Sequence, residues 1–153
     1  MNKWRPARPE EDPAIVALSL ALYVEDPSPE PIGAAQVQAT LQKFQAEPWR
    51  GRAVVLELNG AVAGYAFLVS FWSNELGGEV ITIDELYVSP EARGHGHSTR
   101  LFEQLGTAGP LWPGPAVALM LEVTPDNRRA RALYERLGFS GKNLSFRRRR
   151  AGA

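Results

Sequence analysis

Apolar positions recur along this chain with two different periods, and the changes of period mark its elements. Ile15, Leu18 and Leu22 share one helical face, behind a start signal at Asp12-Pro13, where a carboxylate cap precedes a proline at the first helical position. Residues 3–7 before it read as a short first strand. The acidic stretch that follows holds Pro27, Pro29 and Pro31, which forbid a helix there. Val37, Leu41 and Phe44 resume helical spacing and predict a second helix that is over by Pro48.

From there the period is that of strands. Residues 53–58 read as a strand, Asn59-Gly60 as a tight hairpin turn, and residues 61–72 as the return strand. That strand is apolar on both faces, which places it inside a sheet. Ser73 to Gly78 is a loop, and the next strand covers about residues 79–89. Its phase slips: Ile81 and Ile83 lie on one face, the same phase lands on Glu85, and the apolar residues resume at Leu86 and Val88. A β-bulge near Asp84-Glu85 keeps both apolar pairs on one side.

The strand runs into Ser89-Pro90-Glu91-Ala92-Arg93-Gly94-His95-Gly96-His97-Ser98, a glycine-containing turn at the start of a helix. Such a turn points several backbone N–H groups at one spot, with the positive end of the helix dipole behind them, and so suits an anion. Residues 94, 96 and 98 are small, which lets an anion approach; the plain alternative is a turn whose glycines only supply positive φ. No Gly-Lys-Ser/Thr follows, so this is not a nucleotide-binding P-loop. Leu101, Phe102, Leu105 and Ala108 continue the helix, which Gly109-Pro110 should end. Residues 116–123 are almost continuously apolar, as in a buried parallel strand, and complete a right-handed βαβ unit. Ala130, Leu133, Tyr134 and Leu137 form the stripe of a last helix, with Gly138 at its end; Phe139, Leu144 and Phe146 suggest one or two short final strands. The order is β-α-α-β-β-β-α-β-α-β-(β): an α/β chain with a mixed sheet, helices on both faces, and one domain over residues 1–153.

Composition narrows the classes. Formal net charge is zero, with 44% hydrophobic and 22% charged residues, so no global field favours nucleic acid or a membrane surface. There is no cysteine, which excludes disulfides, thiolate metal sites and a cysteine nucleophile. No apolar run approaches the roughly 18 residues of a membrane span, and the first residues lack the apolar core of a signal peptide, so the expectation is a cytoplasmic protein. His95 and His97 lack a third histidine or a cysteine to complete a metal site and are expected to face solvent. Arg147-Arg148-Arg149-Arg150 reads as a solvated strand end or frayed tail, favoured by the zero net charge over a patch for nucleic acid or an acidic partner.

Two motifs resemble the GNAT superfamily of N-acetyltransferases. Its first signature, Gln/Arg-x-x-Gly-x-Gly/Ala after a strand ending in Leu-Tyr-Val, is met by Arg93 and Gly96 after Leu86-Tyr87-Val88, with Ser98 departing at the last position. Its second, an asparagine, an alanine and then Leu-Tyr-Glu-x-Leu-Gly-Phe, is met by Asn127, Ala130 and Leu133-Tyr134-Glu135-Arg136-Leu137-Gly138-Phe139. The resemblance implies acetyl-CoA as cosubstrate and a primary amine of a small molecule or peptide as acceptor; the histidine and cysteine count leads to the separate expectation of no metal. It implies that the parallel strands at 79–89 and 116–123 splay apart, with the pantetheine arm pairing to backbone near Leu86 and Val88. Tyr87, Arg93, Gly94, His95, Gly96, His97, Ser98 and Thr99 would line the donor site, and the Val88 N–H would polarise the thioester carbonyl.

The same resemblance makes Tyr134 the acid that protonates the departing thiolate; its core position beside Leu133 and Leu137 is compatible, because the ring packs while the hydroxyl reaches out. Asn127 would bind the cofactor or satisfy first-turn amides of its helix. An ammonium acceptor must lose a proton, and Glu85, at the bulge, is the preferred base over Glu122. Glu25, Asp26, Glu30, Glu75 and Glu79 lie in the loops expected on the acceptor side and would suit a cationic amine; ordinary acidic loops are the alternative. With no cysteine to carry an acyl group, transfer is expected to be direct, in a ternary complex. The rival from another class is a non-catalytic acyl-CoA-binding regulatory module. Short exposed end strands in such folds often pair, so a homodimer is one expected state.

Overall fold

A computed structural model describes residues 2–141 and 144–152. The chain divides into two compact units, Met1–Glu122 and Val123–Ala153. The first holds β1 (Lys3–Pro6), α1 (Asp12–Glu25), α2 (Ala34–Ala46), β2 (Gly51–Leu58), β3 (Ala61–Ser73), β4 (Gly78–Val88), α3 (His97–Leu105) and β5 (Ala118–Leu121). The second holds α4 (Arg128–Arg136).

The five strands form one sheet in the order β1-β2-β3-β4-β5. Neighbours are antiparallel except β4 and β5, which run parallel. β2 and β3 are joined by Asn59-Gly60, both at positive φ (51° and 81°), the backbone a two-residue hairpin requires. One face of the sheet carries Val55, Tyr65, Phe67 and Tyr87, which pack with Ile15 and Val16 of α1 and Val37 and Leu41 of α2. Strand alternation puts the buried Trp4, Val54, Leu56, Ala66 and Leu68 on the other face. There the Trp4 indole N–H donates to the His97 carbonyl at 2.8 Å and ties the start of α3 to β1. Arg5 holds β1 to its surroundings through Glu11 and Glu57, at 2.5 and 2.6 Å.

The bulge lies where the phase slip predicts it. Phe67 pairs with Glu85 and Leu68 with Ile83, so Asp84 is the extra residue, and it is exposed. The insertion returns Leu86 and Val88 to the face of Ile81 and Ile83, and turns Glu85 toward α1.

Several details differ from the sequence reading. A single 3-10 turn (Pro9–Glu11) precedes α1, so Asp12 is the first residue of the helix rather than its cap. The buried line of α1 runs through Ile15, Val16 and Ser19, while Leu18 and Leu22 are only partly covered. α3 stops at Leu105, because Gly106 caps it, and Leu111 and Trp112 beyond it are buried. Among the described residues no strand follows α4, and Leu144 and Phe146 are exposed. The apolar alternation there is only two residues long and leads straight into the arginine run, too little to hold a strand. Lys142 and Asn143, within that expected strand region, lie outside the described residues.

Candidate active site

Among the described residues, no strand pairs with the outer edge of the last part of β4. Pairing with β5 ends at Ile83 opposite Leu121, whereas β4 continues to Val88. The Ser89 N–H bonds to the Ala63 carbonyl at 2.9 Å, which makes Val88 and Gly64 a pair without mutual hydrogen bonds. The peptide groups of Val88 and, two residues back, Leu86 therefore turn away from β3, to the side where β5 has ended. Gly64 allows this close approach: a Cβ there would lie 2.8 Å from the Tyr87 carbonyl oxygen.

The turn that follows is stripped of side chains where it matters. Gly94 and Gly96 both have positive φ (80° and 73°), and a Cβ built on either meets nothing within 4 Å. Their glycines are thus required by conformation, and the space above them is open. Gly96 is the residue before α3, so the amides of His97, Ser98 and Thr99 form the first turn of a helix that gives them no carbonyl partner. Ser98 is part of that turn and half-buried; the position that would cap the helix belongs to Gly96.

Arg93 is committed elsewhere. Its Nε donates to the Val88 carbonyl at 2.8 Å, its Nη2 donates to Glu25 at 2.7 Å, and its guanidinium lies 5.2 Å from the centroid of the Tyr87 ring. The Glu25 carboxylate holds the guanidinium charged, above its ordinary range. Burial, reinforced by Glu25, holds the Tyr87 phenol above its own. Arg93 thus clamps the end of α1 to the end of β4.

His95 is exposed, as expected, but His97 is buried. Burial, helped by Arg100 and His95, holds the His97 imidazole below its ordinary range, so it is neutral at pH 7. Among the described residues no group of three His, Cys, Asp or Glu is placed to hold a metal ion.

On the α1 face of the sheet, Glu85 accepts three hydroxyl donors: Tyr23 at 2.5 Å, Tyr65 at 2.6 Å and Ser19 at 3.3 Å. Neither Ser19 nor Tyr23 was visible as a site residue from composition or motif. The signal that finds them is a serine and a tyrosine one turn apart on a helix face otherwise apolar. Glu122, the second candidate base, is exposed just past the end of β5. Of the carboxylates expected in loops, two are not there: Glu25 is the last residue of α1 and is taken by Arg93, and Glu79 lies in β4 and accepts from the Ser70 hydroxyl, while Glu75 is exposed between β3 and β4.

In the second unit the motif residues have local roles. The Asn127 side chain accepts from the Ala130 N–H at 3.1 Å and caps α4. Gly138, at φ 88°, ends the helix in a Schellman arrangement, with the Phe139 N–H on the Tyr134 carbonyl and the Gly138 N–H on that of Glu135. The Tyr134 ring lies edge-on to Phe139, 6.0 Å between centroids.

The fold is a mixed sheet whose parallel pair is cut short, followed by an open glycine turn at a helix start. The chain belongs to the acetyltransferase (GNAT) family, whose model matches residues 18–139. Solved structures share the fold. A possible acetyltransferase from Clostridium difficile 630 is 19% identical, with a TM-score of 0.81 over 99% of this chain and 98% of its own. A ribosomal-protein-alanine N-acetyltransferase from Brucella melitensis biovar Abortus 2308 is 18% identical, with a TM-score of 0.72 over 97% and 99%. A predicted acetyltransferase from Clostridium acetobutylicum, solved with acetyl-CoA, is 16% identical, with a TM-score of 0.74 over 97% and 96%. No curated protein matches the sequence.

The family uses acetyl-CoA, and the residues present fit it. The cradle at Gly94 and Gly96 is one that a Cβ would fill, and the free edge at Leu86 and Val88 offers an amide-bearing arm a strand to pair with. No helix among the described residues is long and apolar enough to cross a membrane.

Proposed function

We propose that this protein is an acetyl-CoA-dependent N-acetyltransferase that moves the acetyl group directly to a primary amine in a ternary complex. The observation that carries the reading is the free edge of β4 beyond Ile83, running into an open glycine turn, in a chain of this family. Acetyl-CoA, when bound, supplies an acyl group activated on sulfur. First-turn amides of α3, with Gly94, Gly96, Ser98 and Thr99, hold the anionic end; Arg93 contributes by fixing the turn. The Val88 N–H is the donor for the acyl carbonyl oxygen, an interaction that can supply a major part of the rate. Glu85 takes the proton that the acceptor ammonium must lose. Tyr134, which enters through its motif, returns a proton to the departing sulfur. Glu75, which is exposed, and Asp26 and Glu30 in the connection after α1 would suit a cationic acceptor, whereas Glu25 and Glu79 are engaged by Arg93 and Ser70; a cytoplasmic location goes with this reading.

Initial rates with both substrates varied test the order of events. Intersecting lines are expected, and parallel lines contradict direct transfer. Tyr134→Phe should lower kcat about 10- to 100-fold while acetyl-CoA affinity is kept. An unchanged kcat across pH removes Tyr134 as the acid. Binding of acetyl-CoA by calorimetry, with no turnover on any amine, is the signature of a binding module instead.

A further inference from the structure

Glu85 is gripped more fully than a base requires. Ser19 and Tyr23 stand on one face of α1, and Tyr65 comes from β3. Oε2 accepts from Tyr65 and Ser19, and Oε1 accepts from Tyr23. Ser19 and Tyr65 are both 0% exposed. Burying a hydroxyl is costly unless it is bonded, and these two spend their bonds on one carboxylate oxygen. Burial and the neighbouring Glu85 push the Tyr65 phenol far above its ordinary range, so it keeps its proton and remains a donor.

A carboxylate offers about four lone-pair positions in its plane. Oε2 already accepts two hydroxyls, from the buried Tyr65 and Ser19, and Oε1 accepts one, from the half-buried Tyr23. One direction remains, on Oε1.

We propose that Ser19, Tyr23 and Tyr65 are positioning residues that lock the Glu85 rotamer and leave a single proton-accepting position, on Oε1. The assignment rests on the reading of Glu85 as proton acceptor. In the step it serves, an N–H bond of the acceptor ammonium breaks and an O–H bond forms at Oε1. The nitrogen keeps the electron pair for attack, and the three hydroxyl protons stay on their own oxygens. The lock also explains why a serine interrupts the apolar line of α1 and why a fully buried tyrosine sits in the centre of β3.

The test is a mutant cycle on the full chain, with acetyl-CoA and an amine that the wild-type protein turns over. Tyr65→Phe and Tyr23→Phe are each expected to lower kcat about tenfold, the worth of one hydrogen bond to a charged group, with KM for acetyl-CoA unchanged. In the Glu85→Gln background the same substitutions should lower kcat no further, because their effect passes through the carboxylate. Losses that multiply in the double variants, or a rise in KM for acetyl-CoA instead of a fall in kcat, overturn the assignment. Tyr23 is half-buried, so Tyr23→Phe carries the test if Tyr65→Phe melts early by circular dichroism. If wild-type protein turns over amines and Glu85→Gln is as fast, the base reading falls and the lock with it. If wild-type protein acetylates no amine, the functional reading itself has failed and takes this assignment with it.

Discussion

The two ends of the last stretch of β4 are built on opposite plans. At the bulge, Glu85 is surrounded by side chains that reach it from α1 and β3. At the turn, the space above Gly94 and Gly96 is open, and the Arg93 guanidinium is drawn aside by Glu25 and the Val88 carbonyl. A proton acceptor has to be aimed, and aiming takes partners. An anion seat made of amides has to be cleared, and clearing takes residues without side chains. On the proposed reading, the bulge within β4 would serve the first need and the glycines of the turn after it the second.

The largest expected effect breaks the bulge end. Glu85→Gln should lower kcat about 100-fold or more while the dissociation constant for acetyl-CoA stays within about twofold. Steady-state rates beside calorimetry read both quantities, and a loss of affinity with kcat intact would reverse the division of labour.

The turn end is sharpened by a matched pair. Gly96→Ala and Gly60→Ala both force alanine into positive φ with open space around the new methyl. Each should cost about 1–2 kcal/mol of stability. Only the Gly96 variant, whose methyl enters the cradle, should also weaken acetyl-CoA binding, by about tenfold or more. Equal binding by the two variants would mean that the turn is only a turn.

Gly64→Ala probes the strand between the two ends. Its methyl meets the Tyr87 carbonyl at 2.8 Å, and backbone must move to admit it. A loss of about 1–3 kcal/mol in urea unfolding is expected, together with weaker acetyl-CoA binding through displaced Val88.

The smallest effect concerns His97. Its imidazole is held below its ordinary range when folded, so the unfolded chain binds more protons in that window. Stability present above the unfolded value, about pH 6.5, should fall as pH drops through it toward the folded value. His97→Gln should flatten that slope in urea midpoints between pH 7.5 and 5.5, a range chosen around the ordinary histidine value of about 6.5. An unchanged slope would show that His97 titrates alike in both states.

The parts legible in the sequence were those with local causes. A phase slip between Ile83 and Leu86 exposed the bulge, Asn59-Gly60 the hairpin, and the glycine spacing after Val88 the turn. What escaped depends on partners distant in the chain. Arg93 finds Glu25 across 68 positions and Ser19 finds Glu85 across 66, and neither pairing leaves a trace in spacing. Apolar periodicity favoured Leu18 and Leu22 on α1, because a serine that serves a buried carboxylate looks like an interruption of the stripe. His97 looked like a loop residue and is instead the first residue of α3, buried beside the Trp4 contact. Asn127 was open between cofactor and cap, and its side chain caps α4.

The most direct measurement is thiol release from acetyl-CoA over a panel of polyamines, aminoglycosides, amino acids and peptides. The account predicts release that requires an amine, scales with protein and is at least about 100-fold slower with Glu85→Gln. Release that ignores the amine, or saturable binding of acetyl-CoA with no release on any amine, would contradict it.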